Sequence, residues 1–147
     1  MPINTRSKRR EPVNAPAEYA INEATEKTIK INIPVNTKSD VQQPVFIKSS
    51  LLDISVIGCA LDSQYLIPPG VVLDIKVDPA PFAIEEAKGR KEPVLMTGSV
   101  TSCRMISHGH YRLGVKFIKI GKEDEGLIEY FISVKERRKA PRWDMRA

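Results

Sequence analysis

Two cysteines, two histidines and one tryptophan are all that this chain of 147 residues offers to the chemistries that depend on them. Cys59 and Cys103 match neither a disulfide framework nor a zinc spacing. Both stand in apolar, strand-like surroundings that suit small core residues. His108 and His110 share one turn-like stretch, and two ligands without a third do not make a metal centre. They also leave Asp53 and Ser55 without an obvious histidine base. Glycine-rich phosphate loops and paired catalytic carboxylates are missing as well. The chain therefore reads as a binding module rather than an enzyme, and it calls for no metal or cofactor. No run approaches the roughly 18 apolar residues of a membrane span. The N-terminus lacks the apolar core of a signal peptide, which points to the cytoplasm.

What is present is charge, unevenly placed. The formal net charge is +5. Residues 1–10 hold Arg6, Lys8, Arg9 and Arg10 without an acid. Residues 135–147 hold Lys135, Arg137, Arg138, Lys139, Arg142 and Arg146 against Glu136 and Asp144. The rest of the chain has 13 basic and 16 acidic residues. Basic arms around a mildly acidic middle suggest an anionic partner met by the arms. A nucleic-acid-binding barrel is the weaker version of that idea. The middle is net acidic, its strands lack a basic–aromatic stacking surface, and Trp143 lies in the tail.

The hydrophobic pattern has period two over most of the length. Val13 to Ile21 and Ile29 to Val35 read as the strands of a long first hairpin, with Pro16 and Pro34 marking edges or bulges. Val45, Ile47 and Ser49 set one phase, and Leu52, Ile54 and Val56 set the other, which calls for a bulge near residues 49–51. Val71 to Val77 and Val94 to Ile106 follow. A turn at Ser107–His110 then leads into Tyr111 to Phe117. After Gly121 the period changes: Leu127, Ile128, Phe131 and Val134 share a helix face, with acids early and bases late, as the helix dipole favours. The expectation is one domain, mainly β: a small antiparallel barrel of six or seven strands with a C-terminal helix. Residues 1–12 form a flexible basic arm, 13–136 the barrel and helix, and 137–147 a basic tail.

One stretch organises the rest. Read as a strand from Leu52 to Gly58, it sends Leu52, Ile54 and Val56 into a core. Asp53 and Ser55 then stand roughly 7 Å apart on the opposite face. Gly58 supplies a bare backbone site where another molecule can approach or φ can be positive. Upstream, Arg6 and Arg10 stand four apart and run directly into the first strand. The pairs Arg138/Arg142 and Arg142/Arg146 repeat that spacing in the tail without such a context.

Together these residues resemble the PilZ domain, a bacterial receptor module for cyclic di-GMP. Its signature is Arg-x-x-x-Arg before the first strand and Asp/Asn-x-Ser-x-x-Gly on a later one. Arg6 and Arg10 match the first part; Asp53, Ser55 and Gly58 match the second. Pro12-Val13-Asn14, the Tyr111–Phe117 strand and the closing helix are similar too, so the resemblance spans about residues 6–136. The 42 residues between Arg10 and Asp53 exceed the family's usual spacing, which suggests a longer first hairpin. The resemblance implies a non-enzymatic receptor that binds cyclic di-GMP through Arg6, Arg10, Asp53, Ser55 and Gly58, with Arg9 assisting. The entropy cost of ordering the basic arm, set against what two arginine contacts return, leads to the expectation of an arm that orders on binding and changes the surface shown to a protein effector. A PilZ-like module that binds no ligand is the alternative.

Overall fold

The computed structural model describes residues 10–25, 45–82 and 90–139. The arm before Arg10, the expected strand at Ile29–Val35 and the tail beyond Lys139 lie outside those residues. Six described strands form a closed antiparallel barrel. They are β1 (Glu11–Ile21), β2 (Ile47–Ile54), β3 (Gly58–Ser63), β4 (Val72–Val77), β5 (Val94–Ser107) and β6 (His110–Ile120). Around the barrel the order is β1-β2-β3-β6-β5-β4. A 3-10 turn at Ala80–Phe82 and one helix, α1 (Lys122–Lys139), complete the described fold. That helix is not long and apolar enough to cross a membrane.

The alternation read from the sequence becomes the barrel's inside and outside. Ala15, Ala17 and Tyr19 of β1 point inward with Leu73, Ile75 and Val77 of β4, Val94 and Met96 of β5, and Leu113 and Val115 of β6. Tyr19 is wholly buried, and its hydroxyl lies 2.7 Å from the Ser63 hydroxyl. That partner is what makes a buried phenol affordable. Burial raises its pKa above the ordinary value. The first strand opens at Glu11, two residues earlier than expected, and Glu11 itself is fully buried.

Pro16 does not mark a sheet edge. Its carbonyl accepts from Asp78 N, so that side of the residue faces β4 just beyond the last ladder pair, Ala17 with Val77. The missing N–H therefore falls where the ladder has already ended. The two-residue turn His108-Gly109 joins β5 to β6, with Gly109 at φ 79°. Gly70 follows Pro68-Pro69 at φ 96°.

The helix packs its apolar face onto the barrel core. Leu127, Ile128, Phe131 and Val134 are all buried, as their spacing requires, and the Phe131 ring meets Phe82 edge-on at 4.9 Å between centroids. A polar clasp fixes the helix start. Asp124 accepts from Arg90 Nη2 at 2.6 Å through one oxygen and from Leu95 N at 3.1 Å through the other. Arg90 in turn donates to the carbonyls of Glu92 and Pro93. The helix runs through Lys139, so Arg137 and Arg138 belong to its last turns rather than to a separate tail.

Candidate ligand-binding site

Two irregularities shape the region around Asp53. Pairing of β1 with β2 shifts between Pro12 and Ala15, and pairing of β2 with β3 shifts between Leu51 and Asp53. The phase flip expected near residues 49–51 is thus carried at Leu52, one residue later. Leu51 and Ile54 are the inward residues, and Leu52 is only half-buried. A bulge re-aims side chains and increases local twist. Here it turns Asp53 outward beside the start of β1.

The strand does not continue to Gly58. β2 stops at Ile54, and Ser55-Val56-Ile57 is the turn into β3. Ser55 therefore leaves the face expected for it and is fully buried. Its Oγ accepts from the backbone N–H of Ile57 and Gly58, both at 3.2 Å, and donates to Gly58 O at 3.3 Å. A hydroxyl has one donor and two acceptor positions, and all three are used within the turn. Gly58 has a reason other than positive φ or ligand approach. β3 and β6 come so close there that a Cβ would collide with the Val115 carbonyl oxygen. Ser55 and Gly58 build the turn, and the turn presents Asp53.

Asp53 holds two guanidiniums. Arg10 Nη1 donates to Oδ1 at 2.8 Å, and Arg112 Nη2 donates to Oδ2. The Arg10 side chain is 44% exposed and that of Asp53 only 13%. Arg10 is thus the exposed member of the pair and Asp53 the buried one. Arg112 belongs to neither motif half. Its outward position in the β6 alternation was legible, but the β3–β6 pairing that brings it over Asp53 was not. Arg6 and Arg9 lie outside the described residues. His110 Nδ1 lies 3.4 Å from Asp62 Oδ1. Next to Asp53, the Cys59 thiol is fully buried, and burial, reinforced by the Asp53 charge, pushes it up to about 12. That removes it as a nucleophile near neutrality.

Register places Pro12, Asp53, Ala60, Gly114 and Ser102 in one row across five strands. Beyond Asp53 the row holds only small residues, and it forms the floor of a cleft of about 300 Å³ lined by Arg10, Ala60, Ser102, Arg104, Arg112 and Gly114. The result is a cationic trough with one carboxylate at its edge, suited to a flat or anionic ligand.

A sequence model of the PilZ domain matches residues 4–133. The chain belongs to the PilZ domain family. Solved structures with the same fold include the Bacillus subtilis inhibitor of motility MotI/DgrA, at 12% identity and TM-score 0.58, covering 89% of this chain and 51% of that one. A tetrameric PilZ domain from Xanthomonas campestris matches at 12% identity and TM-score 0.55, covering 90% of each chain. The PilZ domain of Escherichia coli YcgR, solved with c-di-GMP, matches at 13% identity and TM-score 0.52, covering 89% of this chain and 91% of that one. This chain spans about half the length of MotI/DgrA, so the PilZ domain accounts for only part of such a protein. No curated protein matches the sequence. Among PilZ domains at this level of identity, the likeness establishes the barrel and its closing helix; the site rests on the residues described above.

Proposed function

We propose that this chain is a non-enzymatic receptor for cyclic di-GMP that signals to a protein partner by drawing its N-terminal arm onto the barrel. The observation that carries the reading is the Arg10–Asp53 contact, which joins two motif halves 43 positions apart in the sequence. Each group suits a guanine nucleotide. A guanidinium forks onto guanine O6/N7, grips a phosphate or stacks on a base, and lysine does not do all three. Asp53 accepts from guanine N–H groups or holds an arginine in place. Ser55 and Gly58 contribute by fixing the turn. Arg6 supplies the second motif guanidinium, with Arg9 beside it. The YcgR domain, solved with c-di-GMP, supports the choice of ligand.

Calorimetry tests the reading. Wild type is expected to give a saturable heat with cyclic di-GMP. Arg10→Ala is expected to bind ten- to a hundredfold more weakly, since a hydrogen bond to a charged group contributes about 1.5–3 kcal/mol. No heat for wild type would reject the receptor and leave a PilZ-type interaction module.

The arm follows from the energetics. Ordering about seven residues costs roughly 1–2 kcal/mol each in backbone entropy, more than two bidentate Arg–guanine contacts of about 1–3 kcal/mol return. Stacking and phosphate attraction must supply the remainder, so the arm orders only when the whole nucleotide is engaged. Amide exchange across residues 1–12 is therefore expected to slow on saturation. Unchanged exchange there would rule out the switch while leaving binding intact.

A further inference from the structure

Arg104 and Arg112 belong to neither motif, yet the β5–β6 register sets them directly opposite each other, and both line the same cleft. Like charges facing across an antiparallel pair are destabilising. Arg112 has a carboxylate to offset this, in Asp53. Arg104 is exposed and has no acidic partner among the described residues. Asp62, which the β3–β6 register sets opposite Arg112, lies against His110. A guanidinium carries five donors, and Arg112 places its Nη2 on Asp53. The small floor of Ala60, Gly114 and Ser102 leaves room above it for a tetrahedral group.

We infer that Arg104 and Arg112 form a phosphate subsite, in which one phosphodiester of the bound dinucleotide bridges the two guanidiniums. The inference rests on the cyclic di-GMP reading and extends it. The bridging anion would remove the repulsion that the empty register leaves, so part of the binding energy comes from relieving a conflict already present in the barrel. Arg112 couples the two halves of the site, touching the phosphate on one side and Asp53 on the other.

The test is calorimetry with cyclic di-GMP at several salt concentrations on wild type, Arg10→Ala and Arg104→Ala, beside thermal melts of the unliganded proteins. Arg104→Ala is expected to lose about tenfold in affinity, the equivalent of one charge-assisted hydrogen bond. Its affinity should also fall less steeply with salt than that of wild type. Without ligand it should melt at or above the wild-type temperature, because a like-charge contact has been removed. Wild-type affinity and salt dependence in Arg104→Ala would overturn the subsite. A lowered melting temperature accompanying the weaker binding would overturn it too, by making Arg104 structural. A wild type that binds no nucleotide would instead overturn the receptor reading beneath it.

Discussion

Asp53→Ala is expected to weaken cyclic di-GMP binding about a hundredfold or more, because two charge-assisted hydrogen bonds of about 1.5–3 kcal/mol each lose their shared acceptor. Arg10 and Arg112 are held by opposite oxygens of one carboxylate. Without it, the two guanidiniums repel each other and lose the orientation that presents them to the ligand. The carboxylate is also the acceptor proposed for guanine N–H groups. Its position at the barrel surface predicts a folded variant, with thermal unfolding lowered because both ion pairs also exist without ligand. Calorimetry checks the first statement and a melt the second. Binding within threefold of wild type would show that Asp53 does not organise the site.

The second large effect is on the fold. Gly58→Ala is expected to cost about 1–3 kcal/mol, as overpacking in a close-packed interior does. The obstacle is the backbone carbonyl of Val115, which cannot rotate aside as a side chain can. β3 would have to separate from β6, and the pairs from Gly58–Lys116 through Ser63–Tyr111 would be disturbed. Thermal unfolding should fall by several degrees, at about 2–4 °C per kcal/mol for a chain of this size. Gly126→Ala provides the contrast. Gly126 is exposed on α1 with nothing within 4 Å of its added Cβ, so that change should raise stability by up to about 1 kcal/mol. Loss of stability in both variants would mean that the β3–β6 approach is not the cause.

These effects separate what a linear sequence displays from what closure creates. Val72–Val77, the β5–β6 hairpin and the Leu127–Val134 helix face were legible because alternation and the 3.6-residue period are local signals. The motif residues were legible by type, yet two of their roles were not. An unbroken strand puts Ser55 on the same face as Asp53, whereas a bulge at Leu52 followed by a turn at Ser55 sends it into the interior. Gly58 offers a bare backbone site in the sequence, and in the fold the side a Cβ would occupy is taken by the Val115 carbonyl of the neighbouring strand. Arg112 depends on a β3–β6 pairing that sets it opposite Asp62, 50 positions away, which no local pattern encodes. Arg90, just before β5, ties that part of the chain to the start of the helix through Asp124, a contact no local pattern encodes either.

The length of β5 has a consequence for self-association. Its pairing with β4 ends at Ser99, while its pairing with β6 continues to Ser107. Val100 still bonds Val71 and Gly70, but among the described residues β5 beyond it has no strand on its outer side, the template on which chains stack edge to edge. The same segment carries Arg104, and its register is broken between Val100 and Ser102 and again between Met105 and Ser107. A positive charge and two kinks make a poor template, so the hairpin can expose Met105 and Ile106 to solvent without inviting a second copy to extend the sheet.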